Sequence, residues 1–583
     1  MARSRSHSQA GNFLTVRMHE KDPDILLTIS LLGKTLNFAR KKDDLIETVL
    51  KRMRLNCGRA LSEGQGTKKH GKEATNAEEV QISFLSGEGT TLPDQGLTME
   101  YIIKSAHTFV LNSTRYGLIM NPPAAKSVSV LHPLVAECPV FVKIEVDGGL
   151  PEDLDFEYSV GDRKEQSIVF TPSCADSGHS VSLCVSNRLY PELFTMCAQP
   201  TPKVLPKPPV IGSSIPEKLE ECGFGDIRIA TWNLLAQGYV ATHFAKTVMY
   251  PHVKDEAHLS FAYRNGLIFR DLLNFTGDLL LLQEVTPAVV DLGLGPILRG
   301  NIVEAESQSG ADKIYDVLFA CKEKSTRPNG VALVSRKSKL KLVEYEHLTL
   351  AGEGLWTWFT LEERETISRS FGSDFVNSVV PNLSTVANVA VYRMISTGEH
   401  LIVANTHLFY HPLAAHVRLL QTIALVRCFE KLLMKYPGAQ VTLGGDLNSR
   451  SSTAVIRFLL TGGVDEKDFD WGNGRVFKWE GEDEAEEVKA ISHFESAHSP
   501  CLGISVSHSI ALKCTFENQI PNMTHATASF TGVLDYIFVS EKLKVTRNFK
   551  ELHLTEDVIA EYGGLPNEAY GSDHVMVAAE LSL

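Results

Sequence analysis

No apolar run in this sequence approaches the roughly 18 residues that a membrane-crossing helix requires. The apolar stretch Asp278–Gln283 is short and predicts a buried strand. No CxxC pair occurs among the ten cysteines, which argues against a structural zinc site. Scattered singly along 583 residues, they are expected as free thiols of a reducing compartment. Positive charge is not in excess either. Lys and Arg number 57 against 70 Asp and Glu, a formal net charge of −13. A basic surface is therefore not the means by which this chain would hold a polyanion, although a local cation can bridge acidic groups to phosphate. Internal repeats are absent, which excludes solenoids and propellers. No apolar segment follows the N-terminal arginines, which disfavours secretion.

The first eighteen residues carry Arg3, Arg5 and Arg17 and no acid. That composition fits a mitochondrial transit segment over residues 1–20, and equally an unstructured basic N-terminus. Residues 21–200 predict short strands with few long helices, a β-rich accessory domain without a visible catalytic cluster. Ile25–Leu31 alternates as a strand does, and Asp43–Arg54 is the best helix, with Leu45, Ile46, Val49, Leu50 and Met53 on one face. Ser62–Glu79 predicts a loop. Thr201–Pro209 holds four prolines in nine residues, so residues 201–221 begin as a linker or an extended strap. From residue 222 to 583 strands and helices alternate. Strands are expected at Ile227–Thr231, Leu279–Gln283, Val331–Ser335, Leu401–Ala404, Val441–Leu443, Tyr536–Val539 and Val575–Leu581. Helices are expected at Tyr263–Asn274 and Leu413–Tyr436. This order fits an α/β architecture in which a two-layer β-sandwich is flanked by helices.

Polar residues stand just beyond several of these apolar strands: Asn233, Glu284, His407, Asp446 and Asn448, with Asp573 and His574 just before the last one. Strand ends on one edge of a sheet converge, so residues far apart in sequence can build one cleft. Asn, Asp and Glu offer the oxygen ligands that Mg²⁺ or Mn²⁺ prefers. Histidines can stabilise charge on phosphate or move a proton near neutral pH. Taken singly, each residue has a plainer explanation: Asn233 as a cap, Glu284 as an acid at a helix start, Asp446 and Asn448 as a turn, His407 as a packed histidine. The ordered set does not.

The segments WN (Trp232–Asn233), LQEV (Leu282–Val285), NTHL (Asn405–Leu408), GGDLNS (Gly444–Ser449), LDYIF (Leu534–Phe538) and SDH (Ser572–His574) resemble, in this order, the exonuclease–endonuclease–phosphatase superfamily. NTHLFYHP, followed by Arg418 and Gln421, is similar to its deadenylase and nocturnin-like branch. KTVMYP (Lys246–Pro251), together with NPPA, CPVFVKIEV and VFTPSCADSG in the N-terminal half, resembles the mitochondrial 2′,5′-phosphodiesterases. Trp356–Asn388 matches this pattern poorly.

The resemblance implies a catalytic four-layer α/β/β/α sandwich of the DNase I-like type. It also implies Mg²⁺ (or Mn²⁺) held by Glu284 with Asn233, Asp446, Asn448 and Asp573 close by. Asp446 would activate water, and Asn448, His407 and His574 would contact the phosphate, His574 being held by Asp535. The implied substrates are 2′,5′-oligoadenylate and poly(A) RNA, cut to 5′-AMP in the mitochondrial matrix. Alternatives of the same fold are a 3′,5′-specific deadenylase or a nucleotide phosphatase. An inactive RNA-binding scaffold is a third, disfavoured because Glu284, Asp446 and His574 are all present. Phe409 or Tyr410 is expected either to stack on adenine or to pack in the core.

Overall fold

The computed structural model describes residues 12–64, 80–303, 313–322, 326–475, 477–479, 501–516, 521 and 523–582. Residues 1–11 of the expected transit segment, and 65–79 of the expected loop, lie outside them. The chain forms two compact units: one of residues 1–129, 143–158 and 182–199, the other of residues 130–142, 159–181 and 200–583. No helix among the described residues is long and apolar enough to cross a membrane.

In the first unit six strands pair in the order Lys34–Lys41, Asp24–Leu31, Phe13–Arg17, Thr114–Met120, Thr108–Leu111, Ile82–Leu85. Leu14, Val16, Ile25, Leu27 and Ile29 pack against Ile46, Val49, Leu50 and Met53 of the helix Ile46–Gly64. That helix begins later than the expected Asp43, because Leu45 bridges to Thr98 and the Ile46 N–H donates to the Leu97 carbonyl. It also runs past Arg54, carrying Cys57 into the core. The expectation of ten free thiols is corrected in this unit. Val181–Asn187 and Thr195–Cys197 pair antiparallel with Cys184 directly opposite Cys197, and the two form a disulfide.

The second unit contains the β-sandwich. One sheet has seven strands in the order Gly300–Ile302, Tyr315–Cys321, Gly330–Arg336, Leu279–Val285, Asp226–Asn233, Val577–Ser582, Lys544–Asn548. The other has six: Leu340–Thr349, Val386–Met394, His400–His407, Gln440–Asp446, Asp535–Ser540, Leu512–Cys514. Ile229, Leu279, Leu281 and Leu333 of the first sheet pack on Ala390, Leu401, Val403 and Ile537 of the second. Each such leucine, fully buried, contributes roughly 1.5–3 kcal/mol of transfer free energy.

The outer faces are covered by helices. Ile268, Phe269 and Leu272 of the helix Phe261–Phe275 lie on the first sheet, and Leu420, Ile423 and Ala424 of the helix Ala415–Lys435 lie on the second. The result is the four-layer α/β/β/α sandwich. The proline-rich segment is a strap without helix or strand: Val204 is buried and Leu205 exchanges backbone hydrogen bonds with Leu134 and Ala136.

Asparagines tie the two sheets together. The Asn405 amide donates to the Leu282 and Ala332 carbonyls, and the Asn388 amide to those of Leu318 and Val331. A buried amide satisfied in this way resists sliding of one sheet on the other. Gly444 serves the same contact between sheets, and Gly445 the pairing with the neighbouring strand of its own sheet. A Cβ on Gly444 would meet Leu281 of the opposite sheet at 2.4 Å, and one on Gly445, whose φ is +151°, would meet the Thr406 carbonyl oxygen at 1.9 Å.

Candidate active site

The central strands of both sheets end at one edge of the sandwich, and the polar residues read from the sequence meet there. Asn233 terminates Asp226–Asn233, and Glu284 lies near the end of Leu279–Val285. His407 ends His400–His407 and Asp446 ends Gln440–Asp446, with the two in register. Asp535 opens Asp535–Ser540, opposite Asp446.

Two of these residues have left-handed backbones, Glu284 at φ +53° and Asn448 at φ +47°. At Glu284 the cause is visible: the ladder with Gly330–Arg336 slips between Gln283 and Val285, a bulge that re-aims the side chain. Such conformations cost of order 1–3 kcal/mol each and persist where the surroundings enforce them. For Glu284 the Ala236 N–H, donating to Oε2 at 2.8 Å, is one such constraint. For Asn448 there are two. Its N–H donates to Asp446 Oδ1 at 2.9 Å, and its side-chain amide donates to the Leu408 carbonyl.

The centre of the cluster is the amide of Asn233. It donates to Glu284 Oε1 and to Asp446 Oδ2, each at 3.1 Å, and so holds two carboxylates side by side. Around Asp446 Oδ2 stand His407 Nε2 at 3.5 Å and His574 Nε2 at 3.7 Å. His574 is oriented from behind: its Nδ1 lies 2.8 Å from Asp535 Oδ2, which also accepts the Thr524 hydroxyl at 2.6 Å. Its carbonyl accepts Trp232 Nε1–H, and the Ser572 hydroxyl donates to the Asn233 carbonyl, so the SDH and WN segments lock together.

Burial and charge set the protonation states. Burial raises the Glu284 carboxyl, and the Asp573 charge adds to it. Burial carries Asp446 up to about 7, against the lowering influence of His574. Burial works against the charged form of His574, but the Asp535 and Asp446 carboxylates outweigh it and lift its pKa to about 10. His407 is driven well below its usual value by burial, with Lys322 and His574 adding to the effect, so it is a neutral imidazole.

All eight residues expected from the sequence are therefore at this edge. Three further ones were not legible. Tyr250, fully buried, donates its hydroxyl to Asp573 Oδ2 at 2.8 Å. His525 Nε2 lies 3.5 Å from the same oxygen, and its ring centroid is 4.5 Å from that of His574. Thr524 holds Asp535. None follows an apolar strand in sequence; Tyr250 stands 323 residues from its partner.

The donor set fits a divalent cation. Glu284 and Asp446 place two carboxylates in one buried space, joined by the Asn233 amide whose oxygen accepts the Leu235 N–H, and Asp573 Oδ1 has no partner among the described residues. Ligand atoms of Asp446, Asp535 and His574 also lie within 4.8 Å of one another, as do those of His525, Asp573 and His574. His574 Nδ1 and Asp535 Oδ2 are already committed to each other, however, so that pair reads as hydrogen-bonded rather than ligating.

Residues 230–574 match the Endonuclease/Exonuclease/phosphatase family. The chain is 25% identical to 2′,5′-phosphodiesterase 12 of Mus musculus, over 99% of this chain and 96% of that protein. It is 29% identical to the Rattus norvegicus protein of the same name, over 63% of this chain but only 53% of the relative. The CCR4-Not complex 3′-5′-exoribonuclease subunit Ccr4 of Saccharomyces cerevisiae is 25% identical over 61% of this chain and 39% of its own length. Among solved structures, ANGEL2, a 2′,3′-cyclic phosphatase, aligns with a TM-score of 0.45 at 19% identity, covering 61% of this chain and 96% of that one.

Proposed function

The chain belongs to the endonuclease/exonuclease/phosphatase family and is a hydrolase of phosphodiester bonds; from that premise we propose that it cuts 2′,5′-linked oligoadenylate and poly(A) tails to 5′-AMP, with Mg²⁺ or Mn²⁺ as cofactor. The observation that carries this is the single buried cluster in which Asn233 aligns Glu284 and Asp446 while Asp535 aims His574 at the same point. The relatives' names supply the substrate class.

Glu284, with Asn233, Asp446 and Asn448 beside it and Asp573 across from it, would hold the cation. When bound, that cation neutralises charge on the phosphate and on the attacking oxygen. The protein's own residues do the rest. Asp446, held on one side by Asn233 and on the other by the Asn448 N–H, takes a proton from the attacking water. Protonated His574 donates to a phosphoryl oxygen as charge develops there, and neutral His407 adds a second N–H. Asn448 contacts a further oxygen. Because water is the nucleophile and the ribose oxygen only leaves, the same machinery accepts a 2′–5′ or a 3′–5′ linkage.

The basic composition of the N-terminus supports a mitochondrial address, which a fusion of residues 1–30 to a reporter tests by where it travels. The substrate is tested by comparing hydrolysis of 2′,5′- and 3′,5′-linked adenylate trimers. Release of 5′-AMP from the 2′,5′ trimer supports the proposal. Activity on the 3′,5′ trimer alone moves the chain to the 3′,5′ deadenylases, the reading that the Ccr4 relatives favour. Activity on neither overturns both.

A further inference from the structure

Leu235, two residues past Asn233, has a left-handed backbone at φ +57°. Leucine takes that conformation only where its surroundings enforce it. Its own N–H donates to Asn233 Oδ1 at 2.9 Å, and the turn brings the next N–H, that of Ala236, to Glu284 Oε2 at 2.8 Å. The strained residue thus links Asn233 to the Glu284 carboxylate.

The turn is held by Arg264, from the helix Phe261–Phe275. Its guanidinium, 1% exposed, donates to the Leu235 carbonyl at 2.6 Å and the Leu234 carbonyl at 3.3 Å. The same fork reaches the Gly571 carbonyl at 2.7 Å and Gln237 Oε1 at 3.2 Å. Leu234 and Leu235 follow Asn233, and Gly571 leads into Ser572, Asp573 and His574, so one side chain ties two catalytic loops together. Gly571 comes so near the helix that a Cβ there would stand 2.3 Å from the Arg264 carbonyl oxygen.

Ordinary core packing does not call for this residue. A buried charge is costly, and Arg264 makes no ion pair among the described residues. Burial lowers its pKa to about 10, and the groups whose charge opposes that fall are Tyr250, Asp573 and Glu284, all of the site.

We propose that Arg264 is a positioning residue for the cation site: by holding the Leu235 turn and fastening it to Gly571, it fixes the Ala236 N–H on Glu284 and sets Glu284 against Asp573. It touches neither cation nor substrate. The inference rests on the reading above, in which Glu284 and Asp573 hold a divalent cation. A lysine is no substitute, since an ammonium lacks the planar fork that spans these carbonyls.

The test titrates Mn²⁺ by calorimetry into wild type, Arg264→Lys, Arg264→Met and, as a control, Arg270→Met. Urea midpoints and hydrolysis of bis(p-nitrophenyl) phosphate are recorded alongside. Arg270 lies in the same helix, 4% exposed, but pairs with Asp271 and holds neither loop among the described residues. Both methionine variants should lose stability. Only the Arg264 variants should weaken Mn²⁺ binding, about ten- to a hundredfold, as loss of a residue that orients a metal ligand does. Unchanged binding in Arg264→Lys, or equal weakening in Arg270→Met, would overturn the inference. So would tighter binding in Arg264→Met, which would make the residue a counter-charge and not a clamp. Should Arg264→Lys fail to fold, Gln237→Ala removes the fourth acceptor instead and is read in the same way: weaker Mn²⁺ binding supports the clamp, unchanged binding overturns it. Should wild type bind no Mn²⁺, the cation reading fails, and the diester decides the clamp. A kcat lowered at constant KM in Arg264→Lys, and not in Arg270→Met, keeps it, and an equal kcat removes it. A wild type that neither binds Mn²⁺ nor cleaves the diester removes both.

Discussion

His574 Nδ1 lies 2.8 Å from Oδ2 of Asp535, and this one hydrogen bond turns the opposite nitrogen of the ring towards Asp446. The pair is buried, so the carboxylate both fixes the orientation of the ring and keeps the imidazole charged. Asp535→Asn preserves the shape and removes the charge. Hydrolysis should fall by about 10²–10⁴-fold in kcat with an unchanged fold, as loss of a positioned proton donor does. Steady-state kinetics and a circular dichroism spectrum check it.

Glu284 is the acid at the bulge, and its loss should remove a principal carboxylate of the cation site. Glu284→Ala should reduce release of 5′-AMP at least about 100-fold, and EDTA should abolish it in wild type. Persistent activity in EDTA would remove the cation from the scheme.

Tyr250 donates to Asp573 from a wholly buried position. Burial first, and the neighbouring carboxylate second, hold its hydroxyl well above the usual phenol value, so it remains a donor throughout the working range. Tyr250→Phe deletes that donor and leaves Asp573 short of a partner. A loss of about 1–3 kcal/mol in stability is expected, read from urea midpoints, with a drop in kcat of about tenfold.

Arg418 fastens the loop that follows His407 through the Phe409 and His411 carbonyls. Arg418→Met keeps much of the apolar stem but frees those carbonyls. Destabilisation by roughly 3 kcal/mol should result, together with a higher KM, because the loop leading from His407 loses its anchor.

His416 is fully buried among Phe371, Phe375 and Phe477, and neither ring nitrogen has a partner among the described residues. Burial, with the charge of Arg418 and His411 adding to it, lowers its pKa to about 3. Unfolding lets the ring protonate near its usual 6.5, so the unfolded state binds the extra proton between pH 6.5 and about 3. Stability should therefore fall as pH drops through that window, by up to about 1.4 kcal/mol per unit for this group. His416→Leu should flatten the slope by nearly one proton. Urea midpoints from pH 7.5 to 4.5 measure the difference, and a slope unchanged by the substitution would refute it.

The central strands were legible because they are apolar for most of their length. Leu279–Val285 and Gln440–Asp446 are buried on both faces, so they stand out as runs. Leu340–Thr349 escaped notice because it is an edge strand of mostly half-exposed residues. In the site, the polar residues beyond apolar strands announced themselves. Tyr250 and His525 did not, since their meaning lies only in what faces them across the fold. The glycines before Asp446 show their purpose only in the fold, Gly444 through the opposite sheet and Gly445 through the neighbouring strand. Cys184 and Cys197 looked like any spread thiols until strand pairing set them side by side.

Asn233 and Asp446 come from different sheets and stand 213 residues apart. Their hydrogen bond is therefore a seam, closed only when the two halves of the sandwich have zipped. An unfolded or partly opened chain carries every catalytic side chain and yet no active centre, so it cannot hydrolyse a phosphodiester. Enzymatic turnover thus reports on sheet docking itself, and it should vanish in the same cooperative step, whatever agent prises the layers apart.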